Sequence, residues 1–167
     1  MQRVLIVAAA ATTLLAACGS NGAAVPDSCP QGDFLVAMNS YVVGSVFIDT
    51  PWEPAPDTDL AAALDNGGVA CSYGIQEAEV GATILWSTSE AYAERLAQWQ
   101  ADGQEEVSVA GADEAWANQE IVSDAERHLW ALNLLVDDVW IQINATFLPD
   151  LQSARPLIDA VLAEVRN

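Results

Sequence analysis

The sequence predicts an α+β domain: one antiparallel sheet of about six strands, helices packed on one face of it, and a helix at each end. Three observations predict this. Apolar and polar residues alternate in segments that group as hairpins, over 69–86 and again over 129–147. Stretches of helical period lie before, between and after them. No segment repeats at an interval of 20–50 residues, which excludes a solenoid or propeller.

The elements follow in order. Asp33 to Ile48 is apolar with few breaks, and Phe34, Met38 and Tyr41 with Val42 form a helical stripe. Val46-Phe47-Ile48 reads as a short strand or as the end of that region. Pro51, Pro54 and Pro56 impose an extended path around Trp52, because proline fixes φ and disfavours helix in the residue before it. Asp57 or Thr58 caps a short helix through Leu64, and Gly67-Gly68 stops it. Val69, Cys71, Tyr73 and Ile75 alternate with Ala70, Ser72 and Gly74, a strand with Cys71 on its inward face. A turn at Glu77-Ala78-Glu79 leads to a second strand, Ala82 to Trp86. Ser87-Thr88-Ser89-Glu90 has the form of a capping box, in which a hydroxyl and Glu90 satisfy exposed backbone N–H groups. The helix it opens runs to about Ala101, with Tyr92, Leu96 and Trp99 on one face and Gly103 as its stop. Glu105 to Val109 and Ala115 to Val122 read as strands around Gly111. Leu129 to Val136 and Val139 to Phe147 form a hairpin about Asp137-Asp138. In the last strand Val139, Ile141, Ile143, Ala145 and Phe147 share one face, and Trp140, Gln142, Asn144 and Thr146 the other. The final helix carries Leu157, Ile158, Val161, Leu162 and Val165 as its stripe, with Pro156 in its first turn.

The N-terminus has a different character. Arg3 precedes an almost wholly apolar run, Val4 to Leu15, which is the layout of a secretory signal peptide. The run falls short of the about 20 apolar residues that span a bilayer. It ends in Leu15-Ala16-Ala17-Cys18, which resembles the lipobox of bacterial lipoproteins. That resemblance implies cleavage before Cys18 and acylation of its sulfur, with palmitate-type chains. The mature protein is then anchored to the extracytoplasmic face of the cell membrane. Two acyl chains suffice for stable anchoring. The alternative is ordinary signal cleavage, with Cys18 incidental. The chain divides into a signal peptide (1–17), a lipidated tether (18–30) and a single α+β domain (31–167).

The chain holds 24 acidic residues against five arginines and no lysine, a formal net charge of −19. Such a surface repels nucleic acid, whose binding depends on cations that neutralise phosphates. It also repels anionic headgroups, so membrane attachment falls to the acyl chains. Genome composition, salt adaptation and a cationic partner each account for the acidity. With Cys18 acylated, Cys29 and Cys71 remain, and an even pair in an oxidising compartment reads as a disulfide. Two separate buried thiols are the alternative.

Catalytic and metal signatures are few. The sequence has no G-x-S-x-G elbow, P-loop, dinucleotide fingerprint or EF-hand loop. One histidine, His128, cannot build a zinc site with two paired cysteines, so no metal and no cofactor is expected. His128 beside Arg127, with Asp124 and Glu126 near, is a general base in a hydrolase reading and a strand-edge histidine otherwise. Trp140, with Gln142 and Asn144 on the same strand face, has the makings of a glycan or peptide contact surface. The competing reading is that helices cover that face.

Beyond the lipobox, the chain resembles small actinobacterial lipoproteins of unassigned function. Gly67-Gly68-Val69-Ala70-Cys71 leads into a strand with Tyr73, and strand, capped helix, strands and terminal helix follow. This order is similar to the Mog1/PsbP-like sandwich. The resemblance implies a non-enzymatic envelope lipoprotein that binds a ligand or partner, and it carries no catalytic set. A hydrolase using His128 and an acidic structural surface protein without a specific ligand are the alternatives.

Overall fold

Alternation over 69–88 and 126–145 produces strands, and the strands produce one sheet. The structure is a computed structural model that describes residues 22–123 and 126–166, without the side chains of 120–127. The expected signal peptide, Cys18 and Asp124 lie outside the described residues. In chain order the elements are α1 (Asp33–Asn39), β1 (Val46–Ile48), α2 (Asp59–Asp65), β2 (Val69–Ile75), β3 (Val80–Thr88), α3 (Ser89–Ala101), β4 (Glu105–Glu106), β5 (Glu114–Ser123), β6 (Glu126–Val136), β7 (Val139–Ala145) and α4 (Arg155–Val165). The fold is α+β with an antiparallel sheet, as expected. Among the described residues the sheet has seven strands in the order β1-β2-β3-β7-β6-β5-β4.

Two apolar layers flank the sheet. Phe34 and Met38 of α1 and the apolar stripe of α4 pack on one face, against Tyr73, Ile84, Trp86, Leu132, Leu134, Ile141 and Ile143. Ala63 of α2 and Ala91, Tyr92 and Trp99 of α3 pack on the other, against Ala70, Leu85 and Trp140. The expectation of helices on one face is therefore corrected: both faces are covered. The second face carries Leu85 and Trp140 among polar residues, so its alternation reads as solvent-facing. Its amides are buried because partners on other elements satisfy them.

Local chemistry explains most boundaries. Thr58 caps α2, its Oγ1 accepting from the Ala61 N–H at 3.2 Å. Gly67, at φ 73°, ends that helix in the left-handed region. Gly68 is a close approach, since a Cβ there would lie 2.5 Å from the Trp86 carbonyl oxygen. The capping box at 87–90 is not formed. Thr88 occupies the cap position of α3 without a side-chain cap bond. Ser87 stays in β3 and donates to the Ala63 carbonyl at 3.0 Å, tying α2 to the sheet. The strand expected over Glu105–Val109 shrinks to Glu105–Glu106, because the chain turns at Val109, where Ala112 N–H donates to the Val109 carbonyl.

Cys29 and Cys71 form a disulfide with Cα atoms 5.6 Å apart. Beside it the Tyr73 hydroxyl donates to the Pro30 carbonyl at 2.8 Å. The two contacts fasten the end of the tether to β2. Further back, Ala23 N–H donates to Asp137 Oδ2 and Ala24 N–H to the Val165 carbonyl. Residues 23–30 thus lie against the domain, from the β6–β7 turn at Ala23 to β2 at Cys29 and Pro30.

Glu164, on α4, has its pKa raised by burial and by the nearby Asp33 carboxylate. A carboxyl with a folded pKa above its unfolded one binds more protons when folded, so its contribution falls as pH rises through that window. Glu164→Gln is expected to raise the thermal midpoint at pH 7 and to change it less at pH 4. Melting curves at the two pH values check this, and a larger gain at pH 4 overturns it.

Candidate functional site

Thr58, by capping α2, sets Asp59 as the first residue of the helix. The Asp59 carboxylate there reaches three donors. Arg95 Nε of α3 lies 2.6 Å from Oδ1, and Trp99 Nε1 lies 3.0 Å from both oxygens. Gln142 Nε2 of β7 donates to Oδ2. The network continues across the sheet: Asn133 Oδ1 accepts from Gln142 Nε2 at 2.9 Å and from Trp140 Nε1 at 3.0 Å. Asn133 Nδ2 donates to Gln104 Oε1. Asn133, Trp140 and Gln142 are buried, and buried polar groups of this kind are tolerated only when bonded.

This network assigns the amides. An indole N–H only donates, so the Asn133 atom facing Trp140 is oxygen. A carboxylate only accepts, so the Gln142 atom facing Asp59 is nitrogen. Gln142 Oε1 is then turned toward Asn144 and accepts from its Nδ2 at 2.8 Å. Asn144 Oδ1 remains as an acceptor with no partner among the described residues.

Asn144 stands where helical cover ends. Ile48, Ser72, Thr83, Asn144 and Ala131 are cross-strand neighbours in one row over five strands. The adjacent row, Ala70, Leu85, Gln142 and Asn133, lies under α2 and α3. Ser72, Thr83 and Asn144 instead line a cleft of about 410 Å³, walled by Trp130 and by residues of the β2–β3 turn. Trp130 is 38% exposed. Simple alternation would put it with Leu132 and Leu134 in the core. A bulge reverses it: Asn118 pairs with Ala131 and Gln119 with Leu129, so Trp130 is the extra residue. His128 stacks on Trp130, rings 5.6 Å apart and 25° from parallel.

The sequence-derived candidates are placed as follows. Trp140 and Gln142 are corrected: they are 0% and 3% exposed, held beneath α2 and α3, and do not form a contact surface. Asn144 is partly exposed and reaches the cleft. His128 is partly exposed, with an aromatic neighbour rather than a hydrogen-bonded hydroxyl among the described residues. Cys18 lies outside the described residues, and Cys29 and Cys71 are joined. Trp130, Ser72 and Thr83 were not singled out from the sequence. The strand alternation that groups Ser72 with Ala70 and Gly74 was legible, but not which part of that face stays open. Among the described residues, no group of three or more His, Cys, Asp or Glu is placed to hold a metal ion. No helix among them is long and apolar enough to cross a membrane.

No known protein family, curated protein or solved structure matches this chain.

Proposed function

We propose that this protein is a non-catalytic envelope lipoprotein, anchored through Cys18 to the extracytoplasmic face of the cell membrane, that binds a ligand or partner in the Trp130–Asn144 cleft. The observation that carries the binding half is the open row of the sheet. Three hydrogen-bonding side chains stand in register beside an exposed tryptophan, in a cleft within the about 300–1,000 Å³ range of ligand sites. The lipobox-like Leu15-Ala16-Ala17-Cys18 supports the anchor. The Cys29–Cys71 disulfide supports an oxidising compartment.

The contacts of Ala23 and Ala24 limit how far such an anchor can lie from the domain. Cys18 is five residues from Ala23, which is bonded beside the β6–β7 turn. At about 3.3–3.6 Å per residue, an anchor at Cys18 lies within about 18 Å of that turn. β7 runs from that turn to Asn144, so the cleft lies at the opposite end of β7 from the bond that Ala23 makes.

One experiment in intact cells tests both halves. Cells are fed an alkyne-bearing palmitate analogue and express the full chain with a photo-crosslinking residue at Gln76, on the cleft rim. The expected result is acyl label on the protein, none on Cys18→Ala, and a crosslinked envelope component. Wild-type protein without label overturns the anchor, and absence of any crosslinked product overturns binding at the cleft.

A further inference from the structure

We infer that the cleft takes a neutral, hydroxyl-rich ligand, namely a saccharide; this rests on the reading of the cleft as a binding site. The three polar side chains of its floor, Ser72, Thr83 and Asn144, can all accept from a ligand that donates. Asn144 presents Oδ1, because one N–H of its amide nitrogen donates to Gln142 Oε1 and so fixes which way the amide is turned. That orientation traces back through Gln142 to the Asp59 carboxylate, so the amide cannot turn over without breaking a buried chain of bonds. Ser72 and Thr83 carry hydroxyls, which accept as readily as they donate. A sugar ring bears hydroxyls along its edge and C–H groups on its face. The exposed Trp130 ring offers an apolar plate for that face, and stacking on His128 fixes its plane.

Charge narrows the ligand further. The chain has 24 acidic residues, yet Glu79 is the one acidic residue among those lining the cleft. An anionic ligand meets repulsion from the body as a whole. A cationic ligand would find a single carboxylate, Glu79 on the β2–β3 turn, and none on the floor, which is hydroxyl and amide. An apolar ligand would leave Asn144 Oδ1 unpaired on binding, which is costly. A neutral polyol satisfies the acceptors and brings no charge.

The test uses the full lipidated chain in lipid nanodiscs and soluble neutral hexose oligosaccharides of two to six units, with their sulfated counterparts and a tetraalanine peptide as further arms. Titration is followed by calorimetry. The expected result is saturable binding of a neutral oligosaccharide, weaker or absent for the sulfated form and for the peptide. Trp130→Ala should weaken it by about tenfold or more, the loss typical of a central aromatic contact. Trp130→Phe should restore part of the loss, and Asn144→Ala should weaken binding several-fold. Unchanged melting curves verify that these variants fold. No binding of any neutral oligosaccharide, or binding indifferent to Trp130→Ala and Asn144→Ala, overturns the inference. Peptide binding without saccharide binding overturns it too, but leaves the cleft as a binding site. A missing crosslinked product at Gln76 removes the cleft altogether, so the two failures are distinct.

Discussion

Asp59→Ala is expected to lower the unfolding free energy by about 2–4 kcal/mol, since each buried donor left without a partner costs about 1–3 kcal/mol. The carboxylate is the shared acceptor for Arg95, Trp99 and Gln142. Removing it leaves an indole N–H and an amide N–H under α2 and α3 without a partner. It also leaves the Arg95 guanidinium, whose side chain is only 17% exposed, without its counter-charge. The penalty comes from those stranded donors more than from the lost bonds themselves. Asp59→Asn is a sharper probe, because it keeps the shape and one acceptor but introduces a donor that faces other donors. It should cost less than alanine while freeing Gln142, and through it Asn144, to turn over. Urea unfolding with Gln and Asn side-chain NMR checks both effects. A change below about 1 kcal/mol for Asp59→Ala would show that the network is not what holds the helical layer.

Replacing Cys29 and Cys71 together by serine is expected to cost about 2–4 kcal/mol. The bridge closes a separation of 42 residues, and loop entropy for that length gives a figure near 4 kcal/mol as an upper value. The loss should go beyond stability. Without the bridge the tether is held to β2 by the Tyr73–Pro30 bond and not covalently. Proteolysis within residues 22–30 should therefore become faster in the variant and remain slow in the oxidised protein. Equal midpoints with and without the bridge would sink the stability part of this expectation.

The sequence made the elements legible where local chemistry is decisive. Thr58 and Gly67 bound α2, the alternation over 69–75 marks β2 and its inward Cys71, and Pro156 opens the last helix. The capping box was misplaced because Ser87 has a better use: its hydroxyl bonds the Ala63 carbonyl of α2, a partner distant in sequence. The candidate site was half legible. Asn144 was found by sharing a strand face with Trp140 and Gln142, but that face is divided. Burial is set by where α2 and α3 end, and no periodicity along β7 records that boundary.

Strand and helix periods and the fold class were determined by the sequence itself, because each depends on near neighbours; the Cys29–Cys71 bridge agrees with the cysteine reading. The order of the sheet, with β3 beside β7, was decided only by tertiary structure. So were the second helical layer and the outward turn of Trp130. A one-residue bulge moves a side chain to the other face, and its cause lies in pairing between strands rather than in either strand alone. The same holds for the buried amides: Gln142 reads as a surface residue until Asp59, 83 positions away, arrives to accept its hydrogen bond.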